Sequence, residues 1–205
     1  RMVSGDPRAG ERLDWLLRYT TMLRYEDCQR FHFWPGFRAF LLWEMEREYT
    51  EEKRKALFSR GGLYYELKED YAHALECYTS GGDNSKVSEL LVRNAELHPG
   101  MGHYAEMEKY YRSLPETEIL ASPSLMQGMS MLCALAMDYE GSERWYGELQ
   151  KFAEHCGRQD AAGKQARSSL AWLDISLPQR GVNGLTETIP AVFRLLTNKE
   201  VALPS

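Results

Sequence analysis

The sequence has no apolar run near the roughly 20 residues that a bilayer-spanning helix needs, and no signal-peptide pattern. A membrane span is therefore not expected within these 205 residues. Concentrated positive charge is also missing. The net charge is −5 and the isoelectric point is near 5.6, whereas gripping a phosphate backbone takes a basic face that releases counterions. Acids and bases are interspersed instead, with Glu44 and Glu48 alternating with Arg38 and Arg47, the pattern of a solvated surface. Cysteine is sparse. Cys28, Cys77, Cys133 and Cys156 show no CxxC spacing, which argues against a zinc site or a disulfide framework. Cys77 and Cys133 fall in helical patterns, where a free thiol acts as a small buried hydrophobe. This usage predicts a reducing, cytoplasmic setting.

Signatures of chemistry are equally scarce. There is no Gly-x-x-x-x-Gly-Lys-Ser/Thr, so no phosphate-cradling loop can be named, and Gly61-Gly62 reads as a close-packing pair within a helix. No serine–histidine–acid set or carboxylate pair stands out. His32 alternates with Phe31 and Phe33, as on the solvent face of a hairpin, and His98 takes a position that is aromatic elsewhere in the pattern, which suggests packing. His73, His103 and His155 lack an Asp, Glu or Cys partner at ligand spacing. No enzymatic activity is expected, and no catalytic, cofactor-binding or metal-binding residue is assigned.

What is present is a repeat. Phe58, Gly62 and Tyr65 stand at i, i+4 and i+7, and Ala74, Tyr78 and Gly81 do the same after a turn. Each trio makes one stripe on a helix. Two such stripes form a helical hairpin in which small residues admit close approach and aromatics fill the groove. The pattern recurs in weaker form with Leu91, Ala95, His98, Met107 and Tyr111, then with Met126, Ser130, Cys133, Ser142 and Tyr146. A period of about 34 residues, as from Ala74 to Met107 to Ser142, is that of tetratricopeptide-type repeats. Met126, Met129, Met131 and Met137 read as core. The tyrosines at 64, 65, 71, 78, 104, 110 and 111 read as partly core, with a few able to line a groove.

In chain order, residues 1–10 are expected to be frayed and 11–19 to form a short helix. Residues 20–24 and 29–33 read as a strand pair around a turn at 25–28, since Phe31 and Phe33 alternate with Arg30 and His32. Trp34-Pro35-Gly36 ends the hairpin, and Phe37, Phe40, Leu41 and Met45 define an amphipathic helix to about 48. Thr50 is a candidate N-cap with Glu51 and Glu52 behind it. Repeat helices follow to about 67, over 70–80 with a stop at Gly81-Gly82, from 83 or 84 to about 98, over 103–113, from the Ser122-Pro123 start to about 139, and over 141–155. Beyond Gly157 the register fades. Residues 161–174 are helix-like, Pro178 to Gly181 break the pattern, and 182–196 are amphipathic through Leu185, Ile189, Val192 and Leu196, with a loose tail over 198–205. The expected fold is mostly α: an α–α superhelix of tetratricopeptide-like hairpins over 50–200, preceded over 1–49 by a partial winged-helix segment with one β-hairpin.

The stretch Arg30-Phe31-His32-Phe33-Trp34-Pro35-Gly36-Phe37-Arg38-Ala39-Phe40-Leu41 resembles the end of the winged helix in large ATP-binding LuxR-type transcription activators of the maltose-activator group. There an aromatic strand with a histidine and a nearby proline leads into Phe-Arg-x-Phe-Leu. Tyr71 to Leu75 with Gly82-Asp83, then Leu114-Pro115-Glu116 and Leu120 to Leu125, are similar to later stretches of that family. The likeness covers about 29–152 and rests mostly on packing residues. It implies a middle portion of a longer polypeptide, opening at Arg1 partway into a folded unit. An ATPase domain would precede it, a DNA-binding helix-turn-helix would follow, and ATP would belong to the former. It also implies a repeat surface that senses an effector or a partner protein and controls self-association. A free-standing repeat adaptor is a second reading, and direct nucleic-acid binding through the hairpin, against which the charge balance argues, is a third. No binding residue carries over.

Overall fold

The computed structural model describes residues 5–27, 30–97, 102–157, 160–177, 179 and 190, with backbone alone at 25–27, 30, 97, 102 and 103. The expected features at Cys28, His98, Pro99-Gly100, 182–189, 191–196 and 198–205 lie outside these residues, as do the break residues Pro178, Arg180 and Gly181. Among the described residues there are ten helices and one two-stranded sheet, so the fold is mostly helical. None of these helices is long and apolar enough to cross a membrane. The chain divides into two compact units, Arg1–Asp83 and Asn84–Ser205.

In the first unit, α1 (Ala9–Tyr19) starts two residues before its expected position. Asp6 organises that start: its Oδ1 accepts the Arg8 N–H at 2.9 Å. Thr20 closes the helix by donating its hydroxyl to Leu16 O at 2.6 Å, so it ends a helix and does not begin a strand. The strands are β1 (Leu23–Asp27) and β2 (Arg30–Phe33), antiparallel, with Leu23 opposite Phe33 and Tyr25 opposite Phe31. The first strand thus sits three residues later than its expected 20–24. Setting the alternating residues of β2 against Leu23 and Tyr25 draws 25–27 into the ladder instead of leaving them in a turn.

Pro35 opens α2 (Pro35–Glu48), where its fixed φ and missing N–H suit a first helical turn; it is a starter, not only a breaker. The expected burial of α2 does not occur. Phe37 and Met45 are half-buried, while Phe40 and Leu41 are exposed. Next come α3 (Glu51–Glu66), whose N-cap Thr50 accepts the Lys53 N–H, and α4 (Tyr71–Gly81), whose N-cap Asp70 accepts the His73 N–H. The domain boundary expected between 49 and 50 lies in the link between α2 and α3.

The α3/α4 hairpin packs through its small residues. A Cβ on Gly62 would lie 2.5 Å from the Tyr78 ring, and one on Gly81 would lie 2.9 Å from Phe58 Cβ. Ala74, Leu75 and Tyr78 are fully buried, and Tyr78 Oη donates to Glu66 Oε2 at 2.9 Å across the hairpin. Gly82 takes the left-handed conformation, with φ of 68°, and terminates α4 while Asp83 N–H reaches back to Tyr78 O.

The second unit comprises α5 (Asn84–Leu97), α6 (Gly102–Ser113), α7 (Glu116–Leu120), α8 (Pro123–Leu135), α9 (Tyr139–His155) and α10 (Ala161–Ser176). Its centre is α8, on which only Gln127 and Leu135 escape burial, and which touches each of the other five helices. A helix apolar on every side belongs inside a bundle. Met126, Met129 and Met131 are buried there as expected. Met137 lies beyond the helix end and is 78% exposed.

Ser130 and Ser142 meet as the small pair of the α8/α9 hairpin, their hydroxyls 3.1 Å apart, with Ser130 Oγ 3.0 Å from Ser142 O. A Cβ on Gly128 would lie 2.5 Å from Tyr111, so α6 and α8 approach closely. Pro123 is the first residue of α8, but Ser122 makes no side-chain cap. The expected fading of the pattern past Gly157 does not stop the packing. Gly163, Ala166, Ser169, Ala171 and Leu173 of α10 are buried, and Asp174 accepts a hydrogen bond from Tyr146 Oη at 2.8 Å.

Two departures from the expected outline are larger: the five-residue α7 has no counterpart in it, and α8 stops at Leu135 instead of near 139. Met137 there has φ of 59°, Asp138 N–H bonds back to Cys133 O at 2.8 Å, and Asp138 then caps α9 by accepting the Gly141 N–H. The α3/α4 turn has the same form: Glu69 at φ of 59°, Asp70 N–H on Tyr65 O, and Asp70 as N-cap.

Candidate functional site

The second unit carries a cleft of about 300 Å³. One wall is a stripe of α9 at i, i+3, i+4 and i+7: Glu148, Lys151, Phe152 and His155, with Cys156 just past the helix. Leu120 at the end of α7 and Met126 in the first turns of α8 supply the apolar remainder. The volume lies at the lower edge of small-molecule sites, and the mixture of apolar walls with a few polar groups is usual for them.

The polar groups are tied down. Lys151 Nζ lies 2.7 Å from Glu148 Oε1, an exposed i, i+3 pair. His155 Nδ1 lies 2.6 Å from Lys151 O, so Nδ1–H donates to that carbonyl and Nε2 is left to accept when the ring is neutral. Partial burial and then the Asp160 carboxylate push the Cys156 thiol above its ordinary pKa, which keeps it protonated and a poor nucleophile at neutral pH. The cleft thus offers apolar walls, one ion pair and a thiol held in its protonated form.

The residues weighed from sequence do not gather here, Met126, His155 and Cys156 excepted. His32 lies on the exposed side of β2, opposite Arg24. His73 has a partner that the spacing argument passed over: Asp70, three residues earlier, whose Oδ1 is 2.8 Å from Nδ1. That pair belongs to the cap of α4, and the imidazole also stacks on Tyr65 at 5.1 Å. Cys77, Cys133 and Cys156 are free thiols. Tyr78, Tyr104, Tyr110 and Tyr111 are buried, while Tyr64 is exposed. No group of three or more His, Cys, Asp or Glu among the described residues could hold a metal. The α9 stripe was readable from its spacing, but the opposite wall was not, because it depends on α7. No family model matches the chain, and neither the curated proteins nor the solved structures hold a match.

Proposed function

We propose that this chain is a helical-repeat sensing and assembly module of an ATP-dependent LuxR-type transcription regulator, binding an effector or a partner protein and self-associating without catalysing a reaction. The observation that carries the reading is the recurrence of one device. The α3/α4 and α8/α9 hairpins share a turn with a left-handed residue followed by an aspartate N-cap, and Asp70 and Asp138 stand two 34-residue periods apart. Small residues face the partner helix in both, as Gly62 does against Tyr78 and Ser130 against Ser142. Hairpins of this kind stack into an α–α superhelix that presents surface for recognition. The resemblance at residues 30–41 supports placing the module after a winged helix. A net charge of −5 supports placing any DNA contact in a domain other than this one.

The cleft on α9 is the effector site in this reading. A panel of metabolites and oligosaccharides is expected to contain a compound that raises the melting temperature, because a ligand at 100 times its Kd adds about 2.7 kcal/mol. Phe152→Ala, which removes an apolar wall, is expected to abolish that shift. A flat panel together with capture of a defined protein segment favours the free-standing adaptor. The mass of the native polypeptide separates the two as well, since a regulator extends well beyond this chain on both sides.

A further inference from the structure

The apolar walls of the α9 cleft are of a particular kind. Met126 is almost fully buried and so held in place, while Leu120 and Phe152 are half-buried. Leu149 and Ala153, on the adjoining side of α9, are buried in the core and fix the stripe that faces the cleft. Met126 brings a thioether, which favours the edge of an aromatic ring, and Cys156 a protonated thiol that acts as a small polarisable hydrophobe. Phe152 adds an aromatic ring, which packs well against another. An apolar cavity of about 150 Å³ holds one benzene, so about 300 Å³ has room for one ring or two fused ones.

The polar groups set the remaining limits. Lys151 Nζ and Glu148 Oε1 are 2.7 Å apart, so a charged ligand meets its counter-charge already matched and a like charge beside it. A carboxylate drawn to Lys151 is repelled by Glu148, and an ammonium drawn to Glu148 is repelled by Lys151. A sugar fares no better, because each hydroxyl taken from water without a partner is costly. Among the described residues, only Glu148, Lys151 and His155 bring charged or ring-nitrogen groups to the lining. His155 differs from the other two. Its Nδ1 is held on Lys151 O at 2.6 Å, so the neutral ring keeps Nε2 as an acceptor with no partner among the described residues.

We propose that this cleft takes a small neutral aromatic ligand of one or two rings with a single hydrogen-bond donor, of the phenol or indole kind. The ring lies among Leu120, Met126 and Phe152, and the donor meets His155 Nε2. The assignment rests on the effector reading for the purpose of the cleft but not for its chemistry.

Indole and three relatives, titrated calorimetrically into the intact chain, make the test. Indole carries the donor; 1-methylindole lacks it, indole-3-acetate adds a carboxylate and tryptamine adds an ammonium. Indole is expected to bind tightest, with 1-methylindole weaker by about threefold to tenfold for one lost hydrogen bond. His155→Leu, at an exposed position, is expected to bring those two to equal affinity. Phe152→Ala is expected to weaken both about tenfold. Unchanged far-UV circular dichroism confirms that each variant is folded. The assignment is overturned if indole does not bind, if any of its three relatives binds as tightly, or if Phe152→Ala leaves its affinity unchanged. A preference for indole over 1-methylindole that survives His155→Leu overturns it as well. If the probes fail while an oligosaccharide or a protein segment raises the melting temperature of wild type but not of Phe152→Ala, the ligand class falls and the effector reading stands. A native polypeptide ending near these termini, with indole still bound at Phe152, does the reverse.

Discussion

At the scale of single residues, the glycines divide into those that a neighbour needs bare and those that nothing needs. Gly62 and Gly128 lie where a methyl group would press into the rings of Tyr78 and Tyr111, each at 2.5 Å. Gly62→Ala and Gly128→Ala are therefore expected to destabilise by about 1–3 kcal/mol, the usual cost of overpacking. Gly147, within α9, has nothing within 4 Å of that position. There, Gly147→Ala is expected to stabilise by about 0.5–1 kcal/mol, because alanine loses less backbone freedom in a helix. Urea denaturation of the three variants checks both signs, and shifts in a common direction would sink the packing account. This level was legible in the sequence. Gly62 and Tyr78 stood at helical spacing in a repeat, and a small residue facing a large one has few other uses. His73 was less legible, since its aspartate partner is fixed by the cap of α4 and not by any ligand spacing.

At the scale of elements, helix ends were legible where their chemistry is local and obscure where it is not. Thr50 caps α3 as its type and the following acids suggested. The end of α8 was missed because Ala136-Met137-Asp138 contains neither glycine nor proline, and the chain turns through a methionine at positive φ. Met137 is 78% exposed, so its side chain contributes little packing to offset that conformation. Met137→Gly is expected to stabilise by a few tenths to about 1 kcal/mol through relief of the left-handed penalty. Asp138→Ala removes the acceptor for the Gly141 N–H, held at 2.9 Å, and is expected to cost about 0.5–2 kcal/mol. Thermal denaturation of the pair tests the turn as a unit; a Met137→Gly variant less stable than wild type would mean that the methionine makes contacts this account lacks. β1 was misplaced for a related reason: its limits follow from pairing with β2, which no property of residues 20–27 alone discloses.

At the scale of the whole molecule, the helical class followed from periodicity, while the central position of α8 required the packing of five helices around it. Apolar spacing identified Met126, Met129 and Met131 as core without revealing that nearly every side of α8 is enclosed. That enclosure gives stability a pH dependence. Tyr111 is buried against Gly128, and burial first, then the neighbouring Tyr104, pushes its phenol well above the ordinary value. The folded state holds the protonated form, whereas the unfolded chain releases that proton near pH 10. The contribution is thus fully present below about pH 10 and is lost as the pH rises toward the folded value, at up to about 1.4 kcal/mol per pH unit for one proton. Tyr111→Phe keeps the ring against Gly128 and removes the ionisation, so its stability is expected to fall less steeply than that of wild type. A slope remains, because burial also raises Tyr104. Urea midpoints measured at pH steps from 9 to 11 or so, across the tyrosine range, decide the matter: parallel curves would show that the Tyr111 phenol ionises in the folded chain, and hence that the contact between α6 and α8 opens to solvent.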